Sequence, residues 1–436
     1  MNEIYWDTII ETLDLNSIKN LQVEKLKHLI KHAKENSPYY KNILKTVDIS
    51  QIRTIDDISL LPFTDAYALI ENPLQFKSCK EICRVHCSGG TVTSPKILFF
   101  TPEDLNAISN LAARKFYMMG IQSGDRVALM QPFDIYLVGF GHMEAYKLLG
   151  VEVIPLGVRL EQHFVVNLMK KLQPTVIDTS PSVIARLTNA IIKSGLKPSE
   201  DFSVKKIILA GEKITQSLRE FVERTWEAEV FNDYGLTEMG MVAAECEKHT
   251  GLHIAIDSYL MEVIDLLSTK PMAKGEIGEL VLTPLNLRGT VLLRYRTGDL
   301  VKVKGYSCSC GRTHPLIELI GRKDETLMID GINLYPYQFD QALQKFTPEV
   351  LNYQVICENI GEVDRLRIMC EVDPNIDKDK IKSKIFHALK YVSIDFLEIL
   401  EKSSIEVDLE ILEPFALSLN TKGKVKKFIN KRGDTK

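Results

Sequence analysis

The chain has 436 residues, 45% of them apolar and 26% charged, with a formal net charge of −4. This composition suits a soluble globular protein of about two to four structural units and excludes disorder as the dominant state. The near-balanced charge gives no electrostatic reason to expect nucleic acid or an anionic membrane as partner, and no apolar run is long enough to span a bilayer.

Residues 1–7 are acidic where a signal peptide is basic, so a cytoplasmic protein is expected. Up to residue 50 the chain reads as helical: Leu21, Val23, Leu26, Leu29 and Ile30 recur at helical spacing between lysines. Ser37-Pro38 stops that helix, because the residue before proline avoids the helical region. Leu61-Pro62-Phe63-Thr64 reads as an extended turn, with Thr64 as cap of the next segment. From about 84 to 265, strands at 127–130, 151–155, 175–178, 206–210 and 228–231 alternate with helices such as 182–194 and 215–226. That alternation predicts an α/β fold with a largely parallel sheet, whose ligands bind at the carboxyl ends of strands. Shorter, turn-separated strands follow from about 258 to 320. The last block, 326–436, has β-like runs at 353–357 and 366–372, helices at 337–346 and 378–391, and a basic tail from 420.

Five segments carry candidate chemistry. Cys87-Ser88-Gly89-Gly90-Thr91-Val92-Thr93-Ser94-Pro95-Lys96 follows an apparent strand, and its glycines and hydroxyls suit a phosphate cradle. It lacks the Gly-Lys-Ser/Thr ending of a Walker loop, and a plain turn is the blander reading. Asn232-Asp233-Tyr234-Gly235-Leu236-Thr237-Glu238 offers an aromatic ring for a base and a carboxylate for magnesium, or else a capped turn. Arg294-Tyr295-Arg296-Thr297-Gly298-Asp299 places a carboxylate after a tight turn, able to accept ribose hydroxyls. Gly321-Arg322-Lys323-Asp324, continuing to Tyr335-Pro336, is the fourth segment, and Lys422-Gly423-Lys424 the fifth.

In this order the segments resemble the adenylate-forming superfamily, and within it the phenylacetate–CoA ligase family. The narrower likeness is carried by Leu26 to Tyr40, Leu61 to Thr64, Glu245 to His253, Cys308 to Pro315 and Gly331 to Pro336. The resemblance implies a large N-terminal adenylation domain over 1–320 and a small mobile α+β lid over 321–436. It also implies ATP, Mg²⁺ and CoA, with a carboxylic acid first joined to AMP and then passed to a thiol. Ser88, Gly89, Gly90, Thr91 and Lys96 would close over the phosphates, and Gly211, Glu212 and Lys213 would flank adenine. Tyr234 would lie against the base, between Asp233 and Gly235, with Thr237 near the α-phosphate and Glu238 on Mg²⁺. Asp299 and Arg322 would hold the ribose, Asp324 would be the hinge, and Lys424 would bridge carboxylate and α-phosphate during adenylation. Val92-Thr93 replaces the loop's usual second glycine, and Lys422, Lys426 and Lys427 compete with Lys424 for its register.

The family's acyl pocket matches the stretch 132–141, which puts Phe133, Asp134, Tyr136, Phe140 and, just beyond, His142 against the acid. Aromatic side chains there suit an aromatic or aryl-alkanoic acid, and Asp134 and His142 would favour a hydroxyl- or amino-substituted one. Both polar groups facing solvent or core is the alternative. Cys246, His253, Cys308 and Cys310 form Cys-x6-His and Cys-x-Cys pairs that suggest a structural zinc, with His249 and His314 as alternative ligands. Buried free thiols are the competing reading. The acceptor is expected to be CoA; a carrier-protein phosphopantetheine arm and a catalytically silent nucleotide-binding relative are the alternatives. A homodimer is what the resemblance implies for assembly.

Overall fold

The structure is a computed structural model. It describes residues 4–88, 95–323, 325, 327–329, 332–346, 349–360, 363–390, 396–397, 400, 405–414, 416–417 and 425–432, without the side chains of 328, 332, 333, 360 and 363. The N-terminal helix Leu15–Asn36 starts at Asp14, whose carboxylate accepts from the amides of Asn16 and Ser17. Its apolar stripe, from Ile18 through Leu26 and Leu29 to Ala33, is buried. Ser37 ends it and caps the next helix, Pro38–Ile43. Thr64 does not cap the segment after it. Asp65 does so for Ala66–Glu71, while Thr64 is buried, donating to the Leu293 carbonyl at 2.7 Å and lying 2.6 Å from the Tyr40 hydroxyl. A threonine surrounded by apolar neighbours and two chain-distant partners is worth more there than at an exposed cap.

The chain divides into two units: Met1–Gly157 with Phe231–Leu319, and Val158–Val230 with Ile320–Lys436. In the first, the strands Arg126–Leu129 and Glu152–Pro155 pair in parallel. Seven strands lying wholly or mainly in this unit run in the order Tyr259–Ile264, Ile277–Pro284, Tyr295–Gly305, Leu316–Arg322, Leu252–Ile254, Gly240–Glu245 and Glu229–Leu236. The antiparallel hairpin between Glu229–Leu236 and Gly240–Glu245 has a bulge between Tyr234 and Gly235. A Cβ on Gly235 would lie 2.8 Å from the Gly240 carbonyl oxygen, so only glycine allows the hairpin to close there. The core of this unit joins the N-terminal helix (Leu26, Leu29, Ile30) to sheet residues such as Ile254, Leu282, Tyr295 and Val301.

In the second unit Val176–Thr179 pairs in parallel with Lys206–Ala210, and the helices Pro181–Lys193 and Gln216–Trp226 follow these strands. The Trp226 indole donates to Thr188 Oγ1 at 2.8 Å, fixing one helix against the other. A four-stranded sheet has the order Ile405–Leu412, Val363–Val372, Val350–Ile360, Phe428–Asn430. The helices Pro336–Leu343 and Lys378–Leu389 contribute Phe339, Leu343, Ile381 and Ile385 to a core shared with Tyr353, Ile368 and Phe428. Residues 158–230 thus lie in one compact unit with the C-terminal sequence. Thr215 donating to the Leu351 carbonyl at 3.1 Å and Arg224 pairing with Asp373 at 3.2 Å are among the links. The fold is α/β, and among the described residues no helix is long and apolar enough to cross a membrane.

Candidate active site

In the first unit the strands Arg84–Cys87 and Ile97–Phe100 form a hairpin whose connection holds the suspected phosphate loop. The Ser88 amide donates to the Lys96 carbonyl at 3.0 Å and closes its neck. Among the described residues Ser88 Oγ is buried without a partner, a hydroxyl free to meet a phosphate oxygen. Gly89, Gly90 and Thr91 lie outside the described residues.

Beyond the neck, three side chains converge. Lys96 Nζ donates to Glu238 and, at 3.1 Å, to the Tyr295 hydroxyl, which donates to Glu238 Oε1 at 2.6 Å. Glu238 is 3% exposed. Burial pushes its carboxyl up, but the Lys96 charge and the hydrogen bonds from Lys96 and Tyr295 outweigh it and hold the group below its ordinary value. Tyr295 was not singled out from the sequence, because its partner Glu238 is 57 residues away in the chain. Thr237 is half-buried beside Glu238 in the same hairpin turn.

The neighbouring strand residue Tyr234 donates to Asp299 Oδ2 at 2.6 Å, and the Asp299 amide donates to Thr297 Oγ1 at 3.0 Å. Thus Asp233 to Glu238 and Asp299, separated by some sixty residues, come together in one unit. Asp233 lies 3.5 Å from His142 Nε2. His142 is buried, edge-on to Phe116 at 4.9 Å. Phe133 and Phe140 meet edge-to-face at 5.4 Å, and half-buried Tyr136 precedes the helix Leu137–Leu148 that carries Phe140 and His142. Asp134 departs from the expected pocket position: it is exposed, with a φ of 25° that marks a turn residue. A second imidazole, His86, borders the aromatic pair and had no sequence signal. Its ring is 5.8 Å from that of Phe140, and its Nδ1 donates to the Ile135 carbonyl at 3.1 Å. Nε2 is then a bare acceptor, buried and without a partner among the described residues. Burial lowers the ring's proton affinity and keeps it neutral.

The second unit carries the remaining candidates. Gly211 ends the strand Lys206–Ala210 with a φ of 82°. Glu212 accepts from the Ser182 hydroxyl at 2.5 Å, and Lys213 Nζ donates to Asp340 at 2.6 Å and to the Ile320 carbonyl at 2.8 Å. Arg322 is half-buried, while Asp324 and Lys424 lie outside the described residues. Of the competing lysines, Lys427 is committed elsewhere, bonded to Asn352 and 4.2 Å from the centre of the Tyr353 ring.

Cys246, His253, Cys308 and Cys310 converge in the first unit, with their ligand atoms all within 4.8 Å of one another. Cys246 Sγ is 3.8 Å from Cys308 Sγ, and Cys310 Sγ is 3.4 Å from His253 Nε2. Tetrahedral zinc with ligands at about 2.0–2.3 Å sets its ligand atoms roughly 3.5–3.8 Å apart, so the set fits that ion. His253 Nδ1 donates to the His314 carbonyl at 3.1 Å, which turns Nε2 toward the sulfurs. The hydrogen bond from Cys246, aided by His253 and opposed by burial, draws the Cys310 thiol well below its ordinary value. His249 and His314 are engaged outside the set, the one with Glu245 at 3.2 Å, the other with the Ile254 and Ile10 carbonyls.

The model of the AMP-binding enzyme family matches residues 88–287, and that of the AMP-binding enzyme C-terminal domain matches 331–432. A phenylacetate–coenzyme A ligase of Thermus thermophilus is 32% identical over 372 residues, 83% of each chain. This chain belongs to the phenylacetate–coenzyme A ligase family. A second member, from Aromatoleum evansii, is 28% identical over 97% of this chain and 96% of its own. Among solved structures, a 2-hydroxyisobutyryl-CoA ligase in its postadenylation state superposes with a TM-score of 0.86 at 21% identity, covering 98% of this chain and 93% of its own. The same ligase has also been solved in a thioesterification state, which superposes with a TM-score of 0.72. The family's adenylate-forming fold accounts for the convergence of Ser88, Lys96, Tyr234, Glu238 and Asp299 in one unit.

Proposed function

We propose that this protein is an ATP-dependent, AMP-forming acid–thiol ligase: it condenses a carboxylic acid with ATP to an acyl-adenylate and pyrophosphate, then transfers the acyl group to CoA. The observation that carries this reading is the Lys96–Glu238–Tyr295 knot behind the neck of the Ser88 loop. A buried carboxylate kept ionised by a lysine is a ready partner for magnesium and phosphate together. ATP offers Lys96 phosphate oxygens in exchange for Glu238, and it frees Glu238 to hold Mg²⁺, which would offset phosphate charge. Ser88 Oγ adds a hydroxyl to the phosphates. Asp299 and Arg322 serve the ribose, Tyr234 the base, Thr237 the α-phosphate, and Gly211 to Lys213 the adenine edge. Lys424 supplies the cation that bridges the acid's oxygen and the α-phosphate while that bond forms. The C-terminal sequence serves this half-reaction and withdraws, at Asp324, for thiol transfer.

The acid is aromatic or aryl-alkanoic, set against Phe133, Tyr136 and Phe140. Buried His86 beside the Phe140 ring, and buried His142 on the helix that carries Phe140, favour an acid with a hydroxyl or amino donor, and exposed Asp134 is left out of the selection. One zinc on Cys246, His253, Cys308 and Cys310 is structural, a closed four-ligand set with no open position for substrate. None of the eight cysteines is paired in a disulfide, in keeping with a reducing, cytoplasmic setting.

The test is pyrophosphate release from ATP and Mg²⁺ over a panel of aryl, aryl-alkanoic and fatty acids, with CoA, a carrier protein or hydroxylamine as acceptor. Release with an aryl acid, accelerated by CoA and yielding a thioester, is expected. Transfer to a carrier protein but not to CoA would replace the acceptor, and silence with every acid alongside tight ATP binding would replace the enzyme with a silent relative.

A further inference from the structure

Ser182 belongs to no segment singled out for chemistry, yet it sits at a junction. It is buried in the first turn of the helix Pro181–Lys193. Its hydroxyl donates to Glu212 Oε2 at 2.5 Å and accepts from the backbone amide of Val425 at 3.2 Å. The carboxylate takes the hydroxyl's one proton and thereby turns an oxygen lone pair toward Val425. Val425 directly follows Lys424, so a hold on its amide acts one peptide unit from that lysine. The residues after Glu212 reach the same C-terminal sequence: Lys213 bonds Asp340 at 2.6 Å and the Ile320 carbonyl at 2.8 Å, and Thr215 bonds the Leu351 carbonyl at 3.1 Å. Each is a single polar contact, individually weak and reversible, as a segment needed in only one half-reaction requires.

We infer that Ser182, oriented by Glu212, is a positioning residue that docks the Val425 amide and so sets Lys424 for adenylation, with the Lys213–Asp340 pair as the second point of the same docking. This rests on the ligase reading above. For thiol transfer the docking must be given up, so its loss should slow one half-reaction and spare the other.

The experiment measures both half-reactions and hydrogen exchange at the Val425 amide in the full chain. In Ser182→Ala, acid-dependent ATP–pyrophosphate exchange is expected to fall about three- to tenfold, the span of one hydrogen bond. Transfer from isolated acyl-adenylate to CoA stays within about twofold, and the Val425 amide exchanges faster by a similar three- to tenfold factor. Ser182→Thr keeps a hydroxyl and restores adenylation. Asp340→Asn, which loosens the second point without touching Ser182, gives the same split and covers the case in which Ser182→Ala does not fold. Equal losses in both half-reactions, or unchanged exchange at Val425, would overturn the inference. A wild-type protein that forms no adenylate fails the ligase reading by itself, and exchange at Val425 then still decides whether Ser182 holds the tail.

Discussion

Lys96→Met separates the two roles of the Lys96–Glu238 pair. In the native protein the Glu238 side chain is 2% exposed and that of Lys96 is 15% exposed. Methionine keeps the length of the stem and removes the charge, leaving a buried carboxylate with Tyr295 as its remaining donor at this point. Breaking a buried pair from one side is destabilising by about 3–5 kcal/mol, and the partial exposure of Lys96 argues for about 3. The pH dependence changes sign with it. In the wild type the Glu238 carboxyl is depressed below its ordinary value of 4.5, so its contribution is full above that value and is lost as pH falls through the folded value. In Lys96→Met burial, the largest influence, is opposed by the Tyr295 hydrogen bond without the Lys96 charge and is expected to raise the carboxyl, so the penalty is largest at neutral pH and is relieved on acidification as the group protonates. Urea denaturation of Lys96→Met, Glu238→Gln and the double variant at two pH values reads both effects. The double variant should regain most of the stability, giving a coupling of about 2–3 kcal/mol, while its pyrophosphate release stays lost. Additive losses, or a Lys96→Met penalty that is the same at pH 7 and pH 5, would refute the reasoning.

Two further outcomes are expected. Protein purified in metal-free buffer should carry one zinc per chain by elemental analysis, and Cys310→Ser should lose it. Because Tyr5 bonds the Cys310 carbonyl, Arg312 pairs with Glu11, and Thr313 bonds the Glu11 and Leu13 carbonyls, metal loss should also speed proteolysis of the first dozen or so residues. Asp257 is bonded by both terminal nitrogens of Arg114, at 2.7 and 3.2 Å; burial opposes its ionisation, yet Arg114 holds it down at about 2. Its contribution is therefore full above the ordinary 3.8 and is lost between there and about pH 2. Asp257→Asn, which strands Arg114, should lower stability at neutral pH by about 3 kcal/mol in urea titrations and remove that acid-range slope.

The alternation of apolar runs and helical stretches was enough to place the strands Lys206–Ala210 and Val176–Thr179 and the helix Gln216–Trp226 to within a residue or two, because their period follows directly from burial on a sheet. The pair Cys246–His253 and the pair Cys308–Cys310 were legible as ligand types, and the folded chain brings them to ligand distances of one another. Thr64 was misread because a threonine before a helix is a good cap in isolation. Only the distant Tyr40 and Leu293 explain why it turns inward. The contacts of residues 158–230 with the C-terminal sequence were illegible for the same reason: these residues carry the same strand–helix texture as their neighbours, and their partners, such as Asp340 for Lys213, lie more than a hundred residues on.

The same asymmetry runs through the site. Residue types that do chemistry announce themselves together: a glycine-rich loop, a Tyr-Gly-Leu-Thr-Glu turn and a Gly-Lys tail are ordinary turns one by one and stand out only in this order along one chain. The groups that set their charge and position do not, because a tyrosine or serine is common everywhere and its meaning lies in one hydrogen bond. Tyr295 sat inside a segment singled out for Asp299 and still passed unnoticed, although it is the donor that keeps Glu238 oriented beside Lys96. Ser182 lay in an ordinary helix start, and its only distinction is to stand between Glu212 and Val425. If Lys424 serves adenylation and withdraws for thiol transfer, as proposed, the contacts that hold it in place for the first half-reaction are of this second kind. Variants that divide the half-reactions are therefore to be sought at Ser182 and Asp340, whereas changes at Glu238 or Lys96 should abolish adenylation outright.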